Sequence, residues 1–319
     1  MKDKFGRKVD TLRISITDKC NFRCLYCSKE FYKLNKKNIL SYEEIVDIVK
    51  FFTNFGIKKI KITGGEPLIK KNIYYLINKI SKIDGIKEVS ITTNGYFLCE
   101  NVERLKKVGV KRVNISLDTL KSEKFEGITS VKGLEKIICG IKESVKNFDV
   151  VKLNIVLMKE INLDEIYDFL KFAEENKVIL KFIELMPVYK NYTFWKENFV
   201  PYFFVEEILK KYIQLSPICE NGRIKKYENK DKTIYIEFVT PVSEPFCKNC
   251  DRLRIDCKGN LFSCLYGEPI FNFKNFNNKE NEILGIIFSL IFNRKFSYNP
   301  FLEIQRSYYK LPYMNIVGG

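Results

Sequence analysis

Histidine is missing from all 319 residues. Its absence excludes a Ser-His-Asp triad, a His-ligated catalytic zinc and an imidazole proton shuttle. Proton and electron chemistry must therefore fall to thiolates, carboxylates, lysines or bound ligands. Long apolar runs are missing too. The most apolar stretch, ILGIIFSLIF from Ile283 to Phe292, is too short to span a bilayer, and the opening MKDKFGRKVD has charge without the apolar run of an export signal. The expectation is a cytoplasmic protein with no membrane partner, in which clustered cysteines hold a metal or cluster rather than disulfides. Acidic residues are in deficit: 55 Lys and Arg against 39 Asp and Glu leave a formal charge of +16. That excess favours an anionic partner such as a nucleotide or phosphate. Nucleic acid is not favoured, because no basic tract is interleaved with aromatics and the excess is spread along the chain. Internal repeats and low-complexity linkers are also absent.

What is present is an ordinary globular balance, 45% hydrophobic and 29% charged, in a chain long enough for one large domain with an appendage or for two domains. Six short stretches rich in β-branched residues read as buried strands: 11–17, 58–63, 87–93, 111–117, 150–158 and 178–186. Helical periodicity lies between them. Ser41 with Glu44 forms a capping box ahead of Ile45, Ile48, Val49 and Phe52, and Asn162 with Glu165 is expected to open a second helix in the same way. Repeated alternation of strand and helix predicts an α/β fold with a parallel sheet, either a partial barrel or an open doubly wound sheet. In both, ligands bind beyond the carboxyl ends of the strands. The residues following the strands are distinctive: Gly64-Gly65-Glu66-Pro67, Thr92-Thr93-Asn94-Gly95, Ser116-Leu117-Asp118 and Glu184-Leu185-Met186-Pro187. After about residue 188 the alternation stops. A short helix near 203–212, strands at 222–228 and 233–239 and a helix near 279–293 are expected there.

Cysteine carries the most specific signal. Cys20, Cys24 and Cys27 form one triplet, and Cys247, Cys250 and Cys264 form another. A structural zinc site normally needs four ligands, and the fourth would have to come from Cys99, Cys139, Cys219 or Cys257, of which Cys257 is the best placed. A 4Fe-4S cluster held by three thiolates instead keeps one iron open to an outside ligand.

The first triplet, with Tyr26 just before its last cysteine and Gly64-Gly65-Glu66-Pro67 downstream, resembles the signature of radical S-adenosylmethionine enzymes. The second triplet, with Arg252 and Arg254 inside it and a chain ending Gly318-Gly319, resembles the GTP 3′,8-cyclase family of molybdenum cofactor biosynthesis along nearly the whole sequence. The resemblance implies a partial (βα)6 TIM-like barrel over residues 1–188 and a C-terminal cluster-binding region over 189–319. It implies two 4Fe-4S clusters, S-adenosylmethionine as cofactor, GTP as substrate, an electron donor that the sequence does not identify, and room for a homodimer. In that family the first cluster cleaves S-adenosylmethionine to a 5′-deoxyadenosyl radical, which takes a hydrogen from ribose carbon 3 so that this carbon attacks guanine carbon 8. By motif, the resemblance assigns S-adenosylmethionine to Tyr26, Gly65, Ser116 and Met186. It assigns GTP to Arg13, Lys61, Thr92, Lys152, Arg252 and Arg254, and a catalytic role to Gly318 and Gly319. Two positions depart from the family pattern. Lys61 stands where an arginine is usual, which keeps the charge but loses the bidentate fork, and Ser28 stands where methionine is common.

Rival readings rest on the same residues. A peptide-modifying radical S-adenosylmethionine enzyme would usually saturate its auxiliary cluster with four cysteines. A zinc-stabilised nucleic-acid-binding module would use the +16 charge as its footprint.

Overall fold

The computed structural model describes residues 1–27, 39–187, 192–219, 224–274 and 280–293, with side chains for all of these except 280–283. The six expected strands are present: β1 (Thr11–Ser15), β2 (Lys59–Thr63), β3 (Glu88–Thr93), β4 (Val110–Ser116), β5 (Val150–Leu157) and β6 (Ile179–Glu184). Each pairs in parallel with the next. Helices α1 (Tyr42–Thr53), α2 (Ile73–Ser81), α3 (Val102–Lys107), α4 (Ser122–Thr129), α5 (Leu134–Asn147) and α6 (Ile166–Asn176) fill the connections. Strand residues of one parity, among them Leu12, Ile14, Ile60, Ile62, Ile91, Val113, Leu153 and Phe182, are wholly buried in the main apolar core, together with the inner faces of the helices.

Helix α1 begins as its sequence dictates. Glu44 N–H donates to Ser41 Oγ at 3.1 Å, Ser41 N–H donates to the Glu44 carboxylate at 2.6 Å, and Ile45, Ile48, Val49 and Phe52 are buried. Asn162 and Glu165 behave differently from expectation. Residues 163–165 make a 3₁₀ turn, α6 starts at Ile166, and the Asn162 side chain caps nothing. Asn162 instead accepts from Met158 N–H and donates to the carbonyls of Asp118 and Val156, while buried Glu165 accepts from Thr119 Oγ1 and Leu120 N–H. These side chains found buried backbone partners beyond β4 and β5, and a buried unpaired amide or carbonyl is worse than a lost cap.

The C-terminal half supplies α7 (Tyr192–Asn198), α8 (Tyr202–Lys210), β7 (Leu215–Cys219), β8 (Lys225–Asn229), β9 (Tyr235–Val239), β10 (Arg252–Ile255), β11 (Asn260–Phe262), β12 (Phe271–Asn272) and α9 (Glu280–Phe292). Its strands extend both edges of the same sheet. β9 pairs in parallel with β6, and β10 pairs in parallel with β1, giving the order β12-β11-β10-β1-β2-β3-β4-β5-β6-β9-β8-β7. Side chains from β10 and β9, seven places apart in that order, nevertheless line one cavity. At about 4.8 Å per strand a flat sheet would separate them by roughly 30 Å, so the sheet is curled as a partial barrel. Among the described residues no pairing joins β7 to β12.

Glu184, at the end of β6, ties this rim together. It is buried, and its carboxylate accepts from the backbone N–H of Tyr202, Val242 and Ser243, each at 3.0 Å, and from Ser243 Oγ. Truncating it strands three amide donors, each worth about 1 kcal/mol or more when left unmet. Glu184→Ala is therefore expected to lower stability by roughly 3 kcal/mol, visible as a lower urea midpoint at unchanged slope.

Candidate active site

Beyond the strand ends, the loops after β1 and β2 zip together. Ile16 N–H donates to Thr63 O at 2.9 Å, Gly65 N–H to Thr17 O at 2.7 Å, and Glu66 N–H to Lys19 O at 2.8 Å. A Cβ on Gly64 would stand 2.6 Å from Thr17 O, and one on Gly65 only 2.1 Å from Lys19 O. The missing side chains, which the motif suggests make room for a ligand, also make room for the chain itself. Glu66 then organises the loop after β3. It is completely buried and accepts from Leu68 N–H, Thr93 Oγ1 and Asn94 N–H at 2.9, 2.8 and 2.7 Å, while burial pushes its carboxyl up to about 7. Asn94, so placed, donates to Asn21 Oδ1 at 2.8 Å and lies 3.7 Å from Cys20 Sγ.

The three thiols of the first triplet are half-buried on this rim. Burial pushes Cys20 up to about 11 and Cys24 well above the thiol range, the latter raised further by Cys27, Asp118 and Cys20. Cys27 N–H donates to Cys24 O at 3.1 Å, so the last two cysteines share one turn. Tyr26 donates its hydroxyl to Asp118 Oδ2 at 2.7 Å, and Val156 N–H donates to Asp118 Oδ1 at 2.8 Å, so the end of the loop is tied to β4 and β5. Burial raises the Asp118 carboxyl to about 6. Ser116, at the end of β4, lies level with Asn154 on β5. Met186 follows β6, where Trp195 Nε1 pins the preceding Leu185 carbonyl at 2.9 Å.

The concave face of the sheet carries the cations. The strand registers put Arg254, Arg13 and Lys61 in one row, Asn114 beside Lys152, and Asn154, Lys181 and Glu237 in another row. One cavity is lined by Arg13, Lys61, Thr92, Met186, Arg252 and Arg254 together with the whole second triplet, Cys247, Cys250 and Cys264. Nine of the residues singled out by sequence thus meet in one space. Tyr26, Gly65, Ser116 and the first triplet lie around the rim rather than in its lining, and Gly318, Gly319 and Ser28 fall outside the described residues. The side chains of Arg13 and Lys152 do not point outward as charged strand residues often do; both are buried.

Lys152 is also missing from the lining, because a residue the sequence reading passed over holds it. Glu237 on β9 forms an ion pair with Lys152 and another, at 3.0 Å, with Lys181, and all three side chains are less than 10% exposed. Lys181 lines the cavity, as do Asn114, Asn154, Ser263 and Tyr266, none of which motif matching selects. The available signal was a charged residue at alternate positions of an otherwise apolar strand. Burial alone would raise the Glu237 carboxyl, but Lys181 and Lys152 overcome it and hold it down to about 2, from the ordinary 4.5. Stability from this group is present above pH 4.5 and lost as pH falls toward 2. It amounts to about 3 kcal/mol at neutral pH. Comparing the wild type with Glu237→Gln by denaturation should show a gap that narrows as the medium is acidified below that upper limit.

The second triplet is held from both sides of the chain. Arg7, paired with Asp3 at 2.5 Å, donates to Cys247 O at 2.9 Å, and Cys247–Asn249 forms a 3₁₀ turn. Burial, then Cys250 and Cys247, push the Cys264 thiol up to about 12, against the pull of Arg254. Both triplets are therefore clustered soft donors. Yet nowhere among the described residues do three Cys, Asp or Glu side chains close around the radius of a single ion. Three clustered thiols at each place are soft donors of the kind that either an iron–sulfur cluster or a zinc ion takes. Cys257 is not in the lining of the cavity that holds the second triplet. It is buried, and its thiol, pushed up to about 12 by burial first, senses Asp18, Asp256 and Lys258. Cys99 and Cys139, offered above among the possible fourth ligands, are disulfide-bonded to each other, and Cys219 ends the edge strand β7. No helix among the described residues is long and apolar enough to cross a membrane.

Family models match two consecutive stretches of the chain. The model of the radical SAM superfamily matches residues 14–173, and that of Molybdenum Cofactor Synthesis C matches 178–300. A GTP 3′,8-cyclase of Clostridium botulinum is 38% identical over 100% of both chains. One of Listeria welshimeri is 38% identical over 96% of this chain and 94% of its own. Among solved structures, Streptococcus suis SuiB bound to its precursor peptide SuiA superposes with a TM-score of 0.67 at 18% identity, over 91% of this chain and 66% of that one. The same protein bound to S-adenosylmethionine gives 0.65 at 19%, over 86% and 65%. Likeness at that identity speaks for the fold alone.

Proposed function

The chain belongs to the GTP 3′,8-cyclase family within the radical S-adenosylmethionine superfamily, and from that membership we propose how its residues divide the work of converting GTP to (8S)-3′,8-cyclo-7,8-dihydroguanosine 5′-triphosphate. The observation that carries the reading is the single cavity in which Cys247, Cys250 and Cys264 face Arg13, Lys61, Arg252 and Arg254. Three thiolates are one ligand short of saturating a 4Fe-4S cluster, and the nearby cations suit a triphosphate, which accepts several charge-assisted hydrogen bonds. In this reading Cys20, Cys24 and Cys27 hold the first cluster and Cys247, Cys250 and Cys264 the second. Held there, the first cluster would supply the electron for reductive cleavage of S-adenosylmethionine, the family's source of the radical for hydrogen removal at ribose carbon 3. Tyr26, Gly65, Ser116 and Met186 form the bed for S-adenosylmethionine. Arg13, Lys61, Thr92, Arg252 and Arg254 bind and orient GTP, Lys152 reaches it only by leaving Glu237, and Gly318 and Gly319 complete the site. With no histidine in the chain, any proton delivered during closure of the new ring comes from a group other than imidazole. Residues 1–188 are proposed as the barrel domain and 189–319 as the region of the second cluster.

The test is anaerobic: reconstitute with iron and sulfide, add reductant and S-adenosylmethionine, and quantify 5′-deoxyadenosine with and without GTP. The expected result is about eight irons per chain and GTP-dependent 5′-deoxyadenosine with a cyclised nucleotide. Deoxyadenosine formed regardless of GTP would transfer the reading to the peptide-modifying class. Zinc without iron would end it.

A further inference from the structure

The carboxylate of Glu237 is out of place in a site built for a polyanion. It sits on the concave face of the sheet, level with Lys181 on the neighbouring strand and two strands from Asn154. Its two ion pairs engage two of the cations on that face, Lys152 and Lys181, behind a cavity otherwise lined by Arg13, Lys61, Arg252 and Arg254. All three partners are nearly dry, so the pairs are screened far less than surface pairs. A carboxylate between two ammonium groups presents them with the same oxygens that a phosphate would.

We propose that Glu237 is an internal competitor for the phosphate tail: it holds Lys152 and Lys181 when the cavity is empty and must yield them, in whole or in part, for a triphosphate to engage them. The inference rests on the GTP reading above and deepens it. Its consequence is that Glu237 sets the affinity for the phosphate tail, and with it the preference for nucleotides that carry one, without touching the nucleoside. Guanosine, which brings no charge to the lysines, gains nothing from their release. A triphosphate gains the charge-assisted contacts that the carboxylate now takes.

Calorimetric titration of the anaerobic holoenzyme with GTP, ATP, guanosine and inorganic triphosphate, for wild type and Glu237→Gln, tests it. Release of one such contact to the ligand is worth about tenfold in Kd. The expected result is GTP and inorganic triphosphate bound about tenfold more tightly by the variant, with guanosine unchanged. An unchanged or weaker Kd for inorganic triphosphate, or a gain shared equally by guanosine, overturns the proposal. Should Glu237→Gln not fold, Glu237→Asp keeps the charge on a shorter stem and is read in the same way; unchanged triphosphate affinity there overturns it. Inorganic triphosphate separates the two readings. Wild type that binds it but shows no preference for GTP over ATP counts against the GTP assignment and leaves the competition intact. Failure of both proteins to bind triphosphate overturns the competition itself.

Discussion

Cys24→Ala is expected to lower 5′-deoxyadenosine formation by at least about a thousandfold, equivalent to roughly 4 kcal/mol of barrier. Cys24 lies between its two partners in sequence, and its thiol senses both of them and Asp118. Without it two thiolates remain, too few for a cluster that needs three protein ligands and an open iron. The loss should be accompanied by about four irons per chain in place of about eight after reconstitution. Cys250→Ala should give the same iron count by the opposite route. It keeps the first triplet, so deoxyadenosine still forms, but its formation no longer depends on GTP. Cys219→Ala, at the sheet edge away from both triplets, should change neither quantity. Full iron in Cys24→Ala would mean that another group supplies the ligand and that the first triplet is misassigned.

Gly65→Ala is expected to be the most damaging of the small substitutions. Its new methyl would meet Lys19 O at 2.1 Å, Lys19 C at 2.5 Å and Asp18 O at 2.8 Å. All three are backbone atoms, so no side chain can swing aside; one of the two loops must move. Overpacking a rigid site costs about 1–3 kcal/mol and more where backbone shifts, and the loop that the new methyl presses on carries Cys20. The expected outcome is a stability loss of at least about 3 kcal/mol with poor retention of iron. Gly127→Ala is the control: in α4, with nothing within 4 Å of the new methyl, it should be neutral or stabilising by up to about 1 kcal/mol. Urea denaturation of the metal-free chains and iron per chain after reconstitution measure both. Equal stability of Gly65→Ala and wild type would show that the two loops are not held as closely as described.

Both predictions start from residues that sequence reading could find, yet for Gly65 the reason differs. The motif identifies the position, and only the fold shows that a neighbouring carbonyl occupies the space. The same contrast holds for Asn162 and Glu165. Their spacing is that of a capping box, as for Ser41 and Glu44, but only the second pair caps its helix. A cap is a local competition between a side chain and nearby N–H groups, and tertiary partners with buried, unmet hydrogen bonds win it. Arg13 and Lys152 were legible as charged residues in apolar strands. Which face they point to was not.

The sequence by itself determined what depends on neighbours along the chain: the strand-helix alternation, the grouping of cysteines in threes with nothing else in the chain that resembles a metal ligand set, the rim of unusual residues after each strand, and the exclusion of imidazole chemistry. Periodicity and ligand spacing are local properties, so they survive without a structure. The tertiary structure alone decided that strands from the C-terminal half extend both edges of the sheet, that the second triplet faces Arg13 and Lys61, and that Glu237 meets Lys152 and Lys181. Those relations depend on strand register, and a shift of one residue would turn every one of these side chains to the opposite face. Register is settled by burying one apolar face across many strands at once, and no single segment carries that information.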